Sequence, residues 1–171
     1  TLESPTGDAD KWDVVALRGR MQEIIDANLP FHRITAPTEE AIALFRSHGL
    51  ESKVKLLETS GALYTTYYTL DDTADYFYGA LLVRTGQLGL FDLIAYGEGI
   101  LLRLPDAQRP GELRPMRNQP KMFDVFREQH RWQDILGVST IGELNVACAA
   151  GYANNLIHVS EALQEKKFSQ M

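Results

Sequence analysis

Residues 63–79 read "LYTTYYTLDDTADYFYG". The first eight, from Leu63 to Leu70, are β-branched and aromatic, the composition of a strand. Asp71, Asp72 and Asp75 follow, and then the aromatic triplet Tyr76-Phe77-Tyr78 closed by Gly79. The plain reading is a polar loop between strands. Downstream, "GALLVRTG" is short and apolar, and "LFDLIAYGEGILLRL" reads as two strands around Tyr96-Gly97-Glu98-Gly99, a hairpin signal.

Outward from this sheet the pattern turns helical. Val14, Leu17, Met21, Ile24 and Ile25 recur at helical spacing, so a helix is expected from about Trp12 to Asn28, with Asp10 or Asp13 in its first turn and Pro30 ending it. The opening "TLESPTGDAD" is turn-rich. "FHRIT" alternates enough for a short strand. "APTEEAIALFRSHG" predicts a compact helix with Thr38 as N-cap, Glu39 and Glu40 in the first turn and Gly49 beyond the end. "ESKVKLLET" is compatible with helix or extended chain.

Four prolines between Pro105 and Pro120 mark a connector and exclude a helix there. Helices then run to the end. Pro120 suits a first turn, Met122, Phe123, Phe126, Trp132, Ile135 and Leu136 supply apolar surface, and Thr140 with Glu143 forms a capping box. In the last helix, from about Tyr152, the residues Tyr152, Leu156, Val159 and Leu163 share a stripe. No stop signal precedes Met171, and the protein is expected to continue. The expected fold class is α+β: a mostly antiparallel sheet with helices on one face over residues 1–104, a Pro-rich connector over 105–120, and an all-helical segment over 121–171.

With 171 residues, the chain is long enough to bury roughly 70% of the surface its unfolded form exposes. The composition, 44% hydrophobic and 23% charged, is that of a globular protein. A single cysteine, Cys148, excludes an internal disulfide and fits a reducing compartment. No run approaches the roughly 18 apolar residues of a membrane span. A cytoplasmic protein without membrane partners is expected.

The net charge of −6 argues against a nucleic-acid partner. Residues 103–131, however, hold 7 basic and 4 acidic side chains, against 8 and 15 in residues 1–102. This segment, with Arg103, Arg109, Arg114, Arg117, Lys121, Arg127 and Arg131, is the one candidate basic surface.

Motifs for chemistry are sparse. His32, His48, His130 and His158 never pair at i, i+4, and none stands at ligand spacing from Cys148, which reads as a packed small hydrophobe. The sequence contains no G-x-S-x-G and no phosphate-cradling G-x-x-x-x-G-K-[ST]. The Asp71–Asp75 cluster has the chemistry to hold Mg²⁺. Tyr64, Tyr67, Tyr68, Tyr76 and Tyr78 are able to stack on a base, or to pack half-buried in strands. Arg84 suits a phosphate, a carboxylate or a surface ion pair. No catalytic or metal-binding residue is assigned.

Residues 13–104 resemble the second half of the editing domain of threonyl-tRNA synthetases. The helix "DVVALRGRMQEIIDANLPFHR", the helix "TEEAIALFRSHG" and "ESKVKLL" come in the same order. A strand follows, and then a motif that in the synthetases reads V-D-L-C-R-G-P-H-V. Asp75 and Gly79 match that motif, whereas Phe77 stands at its cysteine and Leu81 at its histidine. In the synthetases this Cys and His help form the editing centre, so the resemblance implies a retained scaffold whose chemistry has been replaced by apolar packing. It also implies a vestigial pocket lined by Tyr67, Asp75, Phe77, Gly79 and Arg84.

Residues 13–168 further resemble the front of bacterial uridine kinase or phosphoribulokinase-like proteins that carry this synthetase-like domain. "FREQHRWQDILGV" and "SEALQEKK" are the distinctive stretches. That resemblance implies a non-catalytic accessory domain whose partner is its own C-terminal kinase domain, with ATP and Mg²⁺ bound in the parent protein and not in this segment. A plain interaction module, a homo-oligomer with the terminal helices as seam, is a third reading, and a tRNA-binding or aminoacyl-tRNA deacylating module is the alternative function.

Overall fold

The computed structural model describes residues 13–97 and 99–170. The opening polar loop, the expected helix start at Trp12, Glu98 of the hairpin turn and the helical character at Met171 lie outside the described residues. The fold is α+β with antiparallel strand pairs and a helical C-terminal segment. The chain divides into two compact units, each built from two separate stretches: residues up to His32 with Tyr78–Gln119, and Arg33–Phe77 with residues from Pro120 onward.

The unit formed by Arg33–Phe77 and the C-terminal stretch holds the main core. Its sheet has the order β1 (His32–Pro37), β2 (Tyr64–Leu70), β3 (Thr73–Asp75). β2 and β3 form a tight antiparallel hairpin, with Leu70 opposite Thr73 and Tyr68 opposite Asp75. The turn is Asp71-Asp72, and Asp71 takes a left-handed φ of 54°, a conformation aspartate tolerates better than most residues. Two of the three aspartates thus make a two-residue turn rather than an open loop, and the third already belongs to a strand.

Helix α2 (Thr38–Ser47) packs on this sheet, and α3 (Glu51–Glu58) packs against α2. α2 buries Thr38, Ala41 and Phe45, and α3 buries Val54 and Leu57. These residues, with Tyr67 and Ala74 of the hairpin, form one apolar cluster. Phe45 is fully buried and meets Tyr67 edge-on, ring centroids 5.7 Å apart. Glu39 and Glu40 at the start of α2 and Arg46 in its last turn complement the helix dipole. The expected N-cap is corrected: the cap is Pro37, with no side-chain bond, and Thr38 begins the helix. The Thr38 hydroxyl points inward to the Thr65 hydroxyl at 2.9 Å, because both groups are buried and each needs a partner.

α4 (Pro120–Leu136), α5 (Ile141–Ala149) and α6 (Ala153–Ser169) complete this unit. Pro120 is the first residue of α4, where its missing N–H costs nothing. Gly137, at φ 64°, ends α4, with the Val138 N–H donating to the Gln133 carbonyl, so the last turn closes on itself. The predicted capping box is present: the Thr140 hydroxyl accepts from the Glu143 N–H at 3.2 Å, and the Glu143 carboxylate accepts from the Thr140 N–H at 3.2 Å. α4 and α6 bury no residue, and Gly142 is the one buried residue of α5. The half-buried positions of α6 are Ala153, Leu156, Ser160 and Leu163, whereas Tyr152 and Val159 of the expected stripe are exposed.

The other unit contains α1 (Val14–Asp26), a 3₁₀ turn at Thr85–Gln87, the hairpin β4 (Asp92–Tyr96) with β5 (Gly99–Arg103), and the short pair β6 (Pro105–Asp106) with β7 (Arg109–Leu113). Asp13 caps α1, accepting from the Ala16 N–H at 2.9 Å. The helix stops at Asp26, four residues before Pro30, because Asn28 turns left-handed at φ 49°. The β4–β5 register places Tyr96 opposite Gly99, as the hairpin signal predicted, with Gly97 at φ 58°. Part of the Pro-rich stretch is itself a hairpin, with a register shift between Pro105 and Asp106 that accommodates the proline.

Candidate functional site

Tyr67, Asp75 and Phe77 of the candidate set belong to one unit, and Gly79 and Arg84 to the other. Tyr67 is buried in the core against Phe45, which leaves its ring to packing. Asp75 ends β3. Its Oδ1 accepts from the Tyr76 N–H at 2.7 Å and lies 3.2 Å from Lys53 Nζ of α3. The same ammonium donates to the Tyr76 carbonyl at 3.4 Å. Asp75 is therefore held by one backbone donor and one cation, both on the edge of the core. Phe77, next along, is 43% exposed and meets Tyr68 edge-on at 6.3 Å. An aromatic ring thus occupies the position where the resembling motif has a thiol, and it rests against a second aromatic ring.

In the other unit Gly79 is exposed, with open space where a Cβ would stand. Arg84 serves the end of α1. Its Nε and Nη2 donate to the Asn28 carbonyl at 3.1 and 2.8 Å. A guanidinium there satisfies a carbonyl beyond the helix C-terminus and suits the negative end of the dipole. Thr85, 2% exposed, completes the clamp. Its hydroxyl donates to the Ile24 carbonyl at 2.7 Å and accepts from the Leu29 N–H at 2.8 Å, and its own N–H donates to the Leu29 carbonyl at 2.9 Å. Gly86 follows because a Cβ there would stand 2.5 Å from Asn28 Oδ1. "RTG" is thus a clamp on a helix end.

Sequence reading missed the roles of Lys53 and Thr85. Lys53 was not locatable while "ESKVKLLET" was open between helix and strand. As a helix, α3 sends Val54 and Leu57 inward and places Lys53 beside Leu57 at the margin of that face, within reach of Asp75 of β3.

No group of three or more His, Cys, Asp or Glu among the described residues is able to hold a metal ion. Cys148, expected to be packed, is exposed: it lines an open, mostly apolar groove of about 400 Å³ between α5 and α6, with Leu144, Leu156 and Ile157. The basic segment is partly neutralised. Arg103 pairs with Asp92 at 3.0 Å, Arg114 with Asp106 at 2.7 Å, and Arg127 with Asp124 at 3.1 Å. The Gln108 N–H and the Arg114 guanidinium hold the Asp106 carboxyl below its ordinary range. Among the described residues Arg109, Arg117, Lys121 and Arg131 make no ion pair. The first two lie in one unit and the last two in the other. No helix among the described residues is long and apolar enough to cross a membrane.

Comparison with known proteins points to one class. The chain carries a threonyl-tRNA synthetase-like module. It is 38% identical over 81 residues to the threonine–tRNA ligase of Syntrophotalea carbinolica, 36% over 84 residues to that of Methylococcus capsulatus and 32% over 81 residues to that of Geobacter sp. strain M21. Each match covers 47–48% of this chain and 13% of the ligase, so the likeness concerns one segment of those proteins. No family model matches the chain.

Proposed function

We propose that this chain is a tRNA-related module that binds the aminoacyl end of tRNA without hydrolysing it. The 38% identity over 81 residues to a threonine–tRNA ligase carries the reading. Asp75 supplies a fixed carboxylate for an ammonium or hydroxyl group. Phe77 at the thiol position supplies a stacking face and removes a nucleophile. The cations Arg109, Arg117, Lys121 and Arg131, which make no ion pair among the described residues, are the candidates for phosphate contacts. Binding carried by two to four phosphate contacts falls as salt rises, by roughly 0.9 in log K per contact for each tenfold step in salt.

The test is titration of the protein with tRNA specific for threonine at low and moderate salt, paired with a deacylation assay on the same tRNA mischarged. Binding with a salt slope and no ester loss above background is expected. Absence of binding at low salt removes the reading. Ester loss above background keeps the partner and overturns the absence of hydrolysis.

A second reading rests on the resemblance of residues 13–168, through "FREQHRWQDILGV" and "SEALQEKK", to uridine kinase-like proteins. On it, the chain is a non-catalytic accessory front end of a uridine kinase-like protein, with ATP and Mg²⁺ bound by a kinase domain elsewhere. Uridine phosphorylation by the natural protein that contains this chain, lost when its kinase domain is removed, is the outcome it requires.

A further inference from the structure

α3 is contacted on three faces. Val54 and Leu57 face the core. Lys53 faces Asp75 and the Tyr76 carbonyl. Ser52, Lys55, Leu56 and Thr59 face α5, and at about 100° per residue these four share one side, opposite the buried pair.

The α5 contact is made without apolar bulk. Gly142 lies so close that a Cβ there would stand 2.8 Å from the Ser52 carbonyl oxygen and 2.8 Å from the Leu56 nitrogen. Backbone approaches backbone. Beside it Lys55 Nζ meets Glu143 Oε1 at 3.2 Å, and Asn145 Nδ2 donates to the Thr59 hydroxyl at 3.1 Å. The other Glu143 oxygen accepts from the Ser139 N–H at 3.0 Å and the Ser139 hydroxyl at 2.8 Å, so one carboxylate both starts α5 and ties it to α3. The apolar residues of α5 take no buried part: Ile141 is 59% exposed and Val146 45%.

Such a contact is steep in distance. Glycine-mediated backbone approach and short polar bonds are complete when seated and lose most of their value within an ångström of separation. The residues that α5 grips, Ser52, Lys55 and Leu56, flank Lys53 in sequence. We infer that α5 is a brace that regulates the candidate site at Asp75: seated on α3, it holds Lys53 against the carboxylate, and on leaving it frees Asp75 to accept another partner. What Asp75 then accepts rests on the tRNA reading above; the brace itself does not.

The test uses the whole chain with Gly142→Ala, which forces the helices apart, and Asn145→Ala, which removes one bond and leaves the backbone approach intact. Three quantities are read together: amide exchange in α5, amide exchange of the Tyr76 N–H that donates to Asp75, and acetylation of Lys53 relative to Lys121. The expected result is exchange in α5 faster by ~10-fold or more, accompanied by faster Tyr76 exchange and several-fold faster Lys53 acetylation, larger in Gly142→Ala than in Asn145→Ala. Opening of α5 with Tyr76 and Lys53 unchanged overturns the coupling. Unchanged α5 exchange in both variants overturns the brace. If Gly142→Ala loses protection in β2, and so has unfolded, Asn145→Ala and Lys55→Met decide on the same criteria. Failure to bind tRNA is a separate measurement and leaves the three readouts as they stand.

Discussion

α2 and α3, of 10 and 8 residues, bury five side chains between them; α4 and α6, of 17 residues each, bury none, and α5 buries only Gly142. Both sets are helical, yet they are held by different forces. The first set is fixed by removal of apolar area from water, which is non-directional and tolerant of small shifts. In the second, α5 is fixed to α3 by a glycine approach, an ion pair and the Asn145–Thr59 hydrogen bond, which are directional and intolerant of them. The α2–α3 core is therefore expected to stay protected where α5 opens.

The largest effect expected is in the core. Phe45→Ala removes a fully buried ring and its edge contact with Tyr67, and costs about 3–5 kcal/mol of the stability of that unit, read by denaturant titration. Equal loss of protection in α2 and α6 would mean that the two sets are one cooperative body, and would break the comparison. Next is Gly142→Ala. The added methyl meets backbone that has nowhere to go, and costs about 1–3 kcal/mol, confined to α4–α6 in amide exchange.

Thr85→Val tests whether a polar clamp in the other unit behaves like the latch. It leaves the Ile24 carbonyl and the Leu29 N–H without their partner in a site only 2% exposed, at about 1–3 kcal/mol, read as faster exchange through α1. The clamp is buried where the latch is half-exposed, so the clamp variant should loosen α1 more sharply than Lys55→Met loosens α5.

The smallest effect is one of pH. The Ser139 N–H and hydroxyl, then Lys55, lower the Glu143 carboxyl from its ordinary 4.5 to about 2. A carboxyl depressed in the folded state contributes stability that is complete above its unfolded value and is lost as pH falls through the folded one. Protection in α5 should therefore decline between pH 4.5 and about 2 while the α2–α3 core holds, and Glu143→Gln should flatten that decline. The group is partly exposed, so the change is small and shrinks further with salt.

Much of this architecture is legible in the residues. The stripe Val14, Leu17, Met21, Ile24, Ile25 is the half-buried side of α1, Gly97 sits in the hairpin turn, and Thr140 and Glu143 form their box. These are local features, written in spacing and turn chemistry. What stayed hidden depends on contacts distant in sequence. Thr38 looks like a cap until Thr65, 27 residues on, claims its hydroxyl. Arg84 suits a phosphate, a carboxylate or a surface ion pair until the carbonyl of Asn28 is placed beside it. Lys53 acquires a direction only when α3 is known to be a helix. Of the candidate site, the motif offers Asp75 and Phe77 by their positions alone, whereas the Lys53 ammonium beside Asp75 and the Tyr68 ring beside Phe77 depend on the fold.

Cys148 has a practical consequence. It is the chain's sole thiol, it is exposed, and it lines the groove toward α6 while Gly142, Glu143 and Asn145 of the same helix face α3. A fluorophore or spin label attached to native protein would therefore land at one position, on the helix whose movement matters, without touching the contacts that hold it. The molecule comes with its own reporter.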